Sequence, residues 1–383
     1  MAKLVFWVSL IVILYVHFGY GALCVLISVI FGKKTTKNKS FYPKLSLLVP
    51  CYNEEKIIKA KIENMLALDY PQDKLQIMIA SESNDATNAI AETYKKSGIE
   101  LYINSLRIGK PTLLFNTIPY ARGEILIFSD ANAIFQPDAL LKIAENFYDQ
   151  SIGAVIGALK ISNPAQSSIS HGEYIYKQYE TIIRKANSRL GRVLNADGSI
   201  FAIRKSLYLP ISEDRGDDFE LILRILLNGY RCVFEPEAIS NEDASITAKA
   251  EILRKIRMVP WFLKSSVMLL KEMIHKSRFD LIFQLISHKI LRWFMPYFFI
   301  SLFSANCFLI SQSLFFKLSL LSQGLVYLGG LIGMYMAEVQ KKKPPALPGA
   351  LYYFIIYNYA FLIGTLKGMF APEKSSSWEK VRS

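Results

Sequence analysis

Residues 125–132 read Ile-Leu-Ile-Phe-Ser-Asp-Ala-Asn. A short apolar run gives way to a small residue and then an acid. This is the pattern of a buried parallel strand that ends in a loop. Ligands of open α/β sheets bind beyond the carboxyl ends of the strands. Asp130 is therefore delivered to that edge, with Asn132 two residues on. A carboxylate with a second oxygen beside it suits a hard divalent cation that bridges phosphate oxygens. The same acid would equally cap a helix expected from Pro137, and the stretch alone leaves both readings open.

Outward from this run the pattern repeats. Strands are expected at 44–50, 76–80, 100–103 and 154–159. Between them fall helices at 55–66, up to about residue 97, from Gly109-Lys110-Pro111, and from Pro137. Proline suits a first helical turn. Strands alternating with helices predict an α/β domain with a mainly parallel sheet. Polar residues gather at successive strand ends: Asn53 and Glu54, Glu82 and Asp85, Lys110, Asp130 and Asn132. They supply an acid for a ribose or base edge, a cation for phosphate and a metal ligand, which is the outfit of a nucleotide site. No Gly-x-Gly-x-x-Gly follows the first strand, and no Gly-Lys-Ser/Thr loop occurs. Both absences weigh against dinucleotide dehydrogenases and P-loop ATPases.

Beyond residue 160 the pattern loosens. Residues 173–190 have helical spacing, with Tyr174, Tyr176 and Tyr179 either lining a sugar groove or simply packing. Asn195-Ala196-Asp197-Gly198-Ser199 is a tight turn before a short strand at 200–203. Four acids follow, Glu213, Asp214, Asp217 and Asp218, and the last two open a helix at 219–227 that stops at Asn228-Gly229. The Asp pair reads as an N-terminal cap or as a general base. Residues 248–270 form a helix with cations on one side and apolar residues on the other. Its run Arg254-Lys255-Ile256-Arg257-Met258 suits a membrane surface or a phosphate clamp.

The chain has 383 residues, of which 52% are hydrophobic, and these are unevenly spread. Residues 4–32 and 349–366 carry no Asp, Glu, Lys or Arg, and residues 293–337 carry only Lys317. Each block is near or above the roughly 18–20 residues that cross a bilayer. The first is longer than a signal-peptide core of about 7–15 residues, and no Ala-x-Ala site follows it. The expected organisation is an anchor at 1–32, a polar domain at 33–247, and amphipathic interface helices at 248–292. Membrane helices at 293–370 follow, two of them divided near Lys317, then a tail at 371–383. The net charge of +13 concentrates beside the apolar blocks, at Lys33, Lys34, Lys37, Lys39, Lys289, Arg292 and residues 341–343. Positive-inside orientation and anionic lipid explain this better than nucleic acid does. Cys24, Cys51, Cys232 and Cys307 lack metal-type spacing and suggest no disulfide framework, as suits a reducing cytoplasm.

From about residue 45 to 258 the ordered motifs resemble the membrane-embedded family 2 glycosyltransferases, the group of cellulose, chitin, hyaluronan and poly-N-acetylglucosamine synthases. Val49-Pro50-Cys51-Tyr52-Asn53-Glu54-Glu55 is similar to the opening V-P-x-Y-N-E-E. Ser129-Asp130-Ala131-Asn132 is similar to the acidic D-x-D or D-A-N motif. Asn195-Ala196-Asp197-Gly198 resembles the acceptor-side A-D-G turn. Gly216-Asp217-Asp218-Phe219, with Leu221 and Arg224, resembles E-D-x-x-L-x-x-R.

The resemblance implies a GT-A fold, a Rossmann-like mixed sheet for nucleotide-diphospho-sugars flanked by transmembrane helices. It implies an inverting transferase, multi-pass in the inner (plasma) membrane, with a cytoplasmic catalytic domain. Pro50, Tyr52 and Glu54, with Asn53 between them, would frame uracil and ribose, and Glu82 or Asp85 would touch the uridine. Lys110 would face phosphate. Asp130 and Asn132 would hold Mg²⁺ or Mn²⁺. Asp197 and Gly198 would line donor sugar and acceptor, and Asp218, beside Asp217, would be the base. Arg254 and Arg257 fall where the family has Q-x-x-R-W. The donor would be UDP-linked, and the acceptor a glycan or polyprenyl lipid in exopolysaccharide or cell-envelope synthesis. Export or co-synthase subunits would be further partners.

Three positions depart from the family pattern. Ser81-Glu82-Ser83-Asn84-Asp85 stands for S-D-G-S-T-D, Asn132 replaces the second acid, and R-x-x-R-M lacks the Trp, which weighs against processive synthesis. Residues 375–382 resemble the family's cytoplasmic tail, whereas three crossings after Arg292 would put the tail outside. These conflict unless one apolar block lies in the interface. Two other classes compete: a nucleotidyltransferase, which would release pyrophosphate, and a non-catalytic membrane subunit that binds sugar or lipid.

Overall fold

A computed structural model of the chain describes residues 1–212 and 214–370, without the side chain of Asp217. Glu213 and the tail from 371, with its 375–382 stretch, lie outside the described residues.

The strands are β1 (Leu45–Cys51), β2 (Leu75–Ser81), β3 (Ile99–Ile103), β4 (Ile125–Phe128), β5 (Ile134–Phe135), β6 (Ile152–Ile161), β7 (Phe201–Arg204) and β8 (Arg231–Glu242). They form one sheet in the order β3-β2-β1-β4-β7-β6-β8-β5. The pairs β2–β3, β1–β2, β1–β4 and β6–β8 are parallel. β7 runs antiparallel to both β4 and β6, and β5 is antiparallel to β8. The sheet is thus the mixed sheet expected. The carboxyl ends of β1, β2 and β4 share one edge, since Cys51 pairs with Ser81 and Leu48 with Phe128.

Side chains alternate across the sheet. Leu45, Leu47 and Val49 join a core with helix Ile58–Leu66 and helix Ala139–Asn146. Leu48 points into a second core, with helix Asp217–Leu227. This second core continues through Val259, Leu263 and Trp293 to Phe361. One apolar interior therefore joins the sheet to the C-terminal helices.

Helix Ser168–Arg189 opens on a capping box between Ser167 and Ser170. Its buried face carries Glu173, Glu180 and Arg184, with Lys177 on the same side, at spacings of four and three. Glu173 binds Arg254 at 2.6 Å. Glu180 binds His288 at 3.1 Å, Lys289 at 3.7 Å, and Arg292. Arg292 also donates to the Tyr176 hydroxyl at 3.0 Å. Tyr179 packs on Gly21 of the N-terminal helix, and Tyr176 on Tyr357. These two tyrosines therefore make packing contacts, while Tyr174 is exposed.

Among the described residues, three helices are long and apolar enough to cross a membrane: Ala2–Phe31, Leu314–Val339 and Ala346–Phe370. The expected division near Lys317 is corrected. Lys317 lies inside Leu314–Val339, and the break comes at 310–313, after helix Met295–Leu309. That helix has only 15 residues, about 22 Å at 1.5 Å per residue. Ala346–Phe370 runs alongside helix Ala248–His275: the Tyr353 hydroxyl donates to Glu251 at 3.4 Å, Gly364 abuts Val259, and Gly368 abuts Pro260 and Leu263.

Candidate active site

Asp130 stands just beyond β4, where the sequence places it. Lys110 donates to its Oδ1 at 2.9 Å, so the strand-end acid faces the first turn of helix Lys110–Thr117. It is no helix cap: the helix beyond begins after Asp138 with no side-chain cap. The Asp130 amide donates to the Gly198 carbonyl at 3.0 Å. The carboxylate lies over Gly198 so closely that a Cβ there would stand 2.7 Å from Oδ2. On the other flank of the same turn, the Ala196 amide donates to the Asp218 carbonyl at 3.4 Å. The turn 195–199 therefore binds both the Asp130 loop and the first turn of helix Asp217–Leu227. The N-cap of that helix is Gly216, without a side-chain cap bond.

The loops after β1 and β2 interlock. Asn53 adopts φ +55°, a left-handed conformation that Asn tolerates better than most residues. Its amide donates to Ser83 Oγ at 2.9 Å, and its Oδ1 accepts from the Asn84 amide at 3.0 Å. The Glu54 amide donates to Thr87 Oγ1 at 2.8 Å. Pro50 lies in β1 opposite Ala80 of β2. Arg107 stacks its guanidinium 4.0 Å from the centre of the Tyr52 ring, a cation–π contact.

Several residues are engaged differently from what the resemblance implied. Glu82 is buried, and its Oε2 accepts from the amides of Ile108 and Gly109 at 2.7 and 2.9 Å. It therefore shapes the loop that carries Lys110, and Gly109 supplies the φ of +81° that the turn requires. Asp85 accepts from the Thr87 amide at 2.9 Å and from the Glu55 amide at 3.2 Å. Burial pushes its carboxyl up, but the Thr87 hydroxyl and these amides outweigh it and hold it below the usual range.

Asp197 is gripped by Arg184 at 2.6 and 3.1 Å and by Lys177 at 3.0 Å. Burial alone would raise its pKa, but Arg184 and then Lys177 hold it well below the carboxylate range. Its carboxylate thus anchors the turn to helix Ser168–Arg189. Arg254 is held by Glu173 and by Glu251, at 2.6 and 2.7 Å, in the seam between helices. Arg257 lies over the Trp261 ring at 5.7 Å.

The donors at the strand edge are oxygens, which suit Mg²⁺ or Mn²⁺. Among the described residues no cluster of three or more His, Cys, Asp or Glu is assembled for a metal. Gly198 has no side chain to crowd the Asp130 carboxylate.

Sequence reading missed Lys61. This lysine is fully buried beneath the Asp130 loop, and one charge within an apolar helical pattern gives no hint of that.

Residues 43–260 match the family described as "Glycosyltransferase like family 2". A probable glycosyltransferase, YdaM, of Bacillus subtilis is 28% identical over 232 residues, 56% of this chain and 54% of that protein. Poly-beta-1,6-N-acetyl-D-glucosamine synthase of Staphylococcus aureus is 27% identical over 217 residues, 54% of this chain and 52% of that protein. The chain spans about half the length of these curated relatives. Among solved structures, the mannosyltransferase PcManGT from Pyrobaculum calidifontis, in complex with GDP-Man and Mn²⁺, shares the fold with a TM-score of 0.73 and 18% identity, over 97% of this chain and 100% of that one. A family match over more than half of the sequence, on the residues that build the strand edge described above, means that the chain belongs to the glycosyltransferase-like family 2.

Proposed function

We propose that the protein transfers a sugar, with inversion, from a nucleoside-diphosphate sugar to an acceptor at the membrane. The observation that carries this reading is the turn 195–199, which receives Asp130 on one flank and presents Asp218 on the other. Asp130, proposed to bind the diphosphate, and Asp218, proposed as the general base, both contact this short turn, Asp218 through its backbone carbonyl.

In this reading Pro50, Tyr52, Asn53 and Glu54 form the pocket for base and ribose, with Arg107 stiffening Tyr52. Glu82 and Asp85 shape that pocket through the backbone. Lys110 neutralises phosphate. Asp130 and Asn132 would hold Mg²⁺ or Mn²⁺, which supplies Lewis-acid stabilisation of the departing diphosphate when bound. Gly198 lets the sugar approach. Asp218, with Asp217 beside it, takes the proton from the acceptor hydroxyl as its oxygen attacks the anomeric carbon and the nucleoside diphosphate leaves. A positioned base contributes roughly 10²–10⁴-fold in rate. Arg257, on the helix packed against this core, is the remaining candidate of the Q-x-x-R-W position to face the site. Arg254 serves the seam.

The catalytic domain is placed in the cytoplasm, where nucleotide sugars are. Helix Ala346–Phe370, laid along Ala248–His275, is read as lying in the interface. Met295–Leu309 and Leu314–Val339 then form a membrane hairpin, and helix Ala346–Phe370 lies on the catalytic side.

Membranes carrying the full chain, incubated with a panel of UDP- and GDP-sugars, test the reading. The expected product is a nucleoside diphosphate, with UDP the expected one. Release of pyrophosphate, or of nothing from any donor, overturns it. Protease cleavage of the tail from the cytoplasmic side only is expected; cleavage from outside overturns the topology.

A further inference from the structure

Lys61 lies on helix Ile58–Leu66, among the apolar residues Ile58, Ile62 and Met65 that this helix buries. Its side chain has no exposed surface. The ammonium donates to Ser129 Oγ at 2.7 Å and to the Ala133 carbonyl at 2.5 Å. It also stands 4.2 Å from the centre of the Phe135 ring. Both hydrogen-bond partners are neutral, and Lys61 forms no ion pair among the described residues.

A cation in a core with no acid in direct contact is an expensive group, and an apolar side chain of similar volume would serve packing better. Burial pushes the Lys61 ammonium down to about 7, with Glu242 and then Asp130 drawing it back up. What the lysine touches gives it a purpose. Ser129 immediately precedes Asp130, and Ala133 immediately follows Asn132. The ammonium therefore holds both ends of the four-peptide loop that carries the two oxygen ligands. Ser129 Oγ, accepting from Lys61, in turn donates to the Ser199 carbonyl at 3.1 Å. One cation is thus connected to the Asp130 loop and, through a single hydroxyl, to the turn beside Asp218.

We propose that Lys61 is a positioning residue for the diphosphate site: from inside the core it fixes the 129–133 loop and couples it to the turn 195–199. The inference rests on the function proposed above. It assigns the buried charge to the site and not to the stability of the fold.

The test is Lys61→Met in the full chain, purified in detergent, read by thermal unfolding and by binding of Mn²⁺ with UDP, followed by Mn²⁺ electron paramagnetic resonance. The expected result is a Tm equal to or above wild type together with about tenfold or more weaker Mn²⁺–UDP binding, since removing a partner that orients metal ligands costs roughly 10–100-fold in metal affinity. A variant that binds as wild type does overturns the inference and leaves the proposed function standing. A variant with a much lower Tm and unchanged binding in its folded fraction makes Lys61 a fold residue, and also overturns it. Should Lys61→Met not fold, Ser129→Ala carries the test, with weaker Mn²⁺–UDP binding at unchanged Tm expected and unchanged binding refuting. Wild-type protein that binds neither Mn²⁺–UDP nor Mn²⁺–GDP would overturn the proposed function, and the inference with it.

Discussion

Replacing Gly198 by alanine isolates the geometry of the site from its chemistry. The added Cβ would stand 2.7 Å from Asp130 Oδ2 and 3.2 Å from Cγ. A carbon–oxygen contact relaxes to about 3.3 Å, so the carboxylate must retreat by about 0.6 Å. Misplacement by about 1 Å costs on the order of 10² in rate, so a retreat of this size predicts about a tenfold loss. Gly198 is not among the glycines with positive φ, so alanine brings no backbone strain. It also lowers the entropy of the unfolded chain by about 0.4–1 kcal/mol, which offsets part of the crowding. The expected signature is therefore a rate about tenfold down, weaker Mn²⁺ dependence and a Tm close to wild type. Nucleoside diphosphate release at varied Mn²⁺, with thermal unfolding in parallel, measures all three. A Gly198→Ala protein with wild-type rate and wild-type metal dependence would show that nothing needs to bind at this face of Asp130, and the assignment of the site would fall.

Three further outcomes follow from the same geometry. Asp218→Asn should lose about 10²–10⁴-fold in turnover while binding the nucleotide as before, and nucleotide affinity falling in parallel would argue against its role as base. Glu82→Gln exchanges two charge-assisted bonds to the Ile108 and Gly109 amides for neutral ones, a loss of about 1–2 kcal/mol, and should raise donor KM about 5- to 30-fold; an unchanged KM would mean that the Lys110 loop holds its shape without it. Asp197 has a folded-state pKa below its unfolded value, so its stabilising contribution is complete above pH ~4 and is lost as pH falls toward the folded value. Melting curves between neutral and acid pH should show this loss in wild type and a smaller one in Arg184→Met.

The strand edge that carries the candidate site was legible because its signals are local. An apolar run ending in Ser129-Asp130, or Pro111 just inside a helix, states its structure within a few residues. β8 was not recognised, because Pro236 and three glutamates interrupt it. The structure accommodates them at a register irregularity between Gly157–Glu235 and Ala158–Ile239, where a strand tolerates proline. Lys61, Glu173 and Glu180 were hidden for a different reason. A charge at helical spacing reads as a solvated face, and only the packing of distant segments turns it inward. The same holds for Asp197 and Arg254, whose motif positions are plain but whose partners Arg184 and Glu173 lie 13 and 81 residues away.

Helix Ser168–Arg189 grips two things at once. Through Arg184 and Lys177 it holds Asp197, and through Glu180 and Glu173 it holds Arg292, just before helix Met295–Leu309, and Arg254 on helix Ala248–His275. In the proposed reading it would act as a strut, setting the height of the reaction centre above the lipid. A substrate travelling in the membrane would meet that centre at one fixed depth. Reach from the bilayer surface, and not only pocket shape, would then decide which hydroxyl is glycosylated.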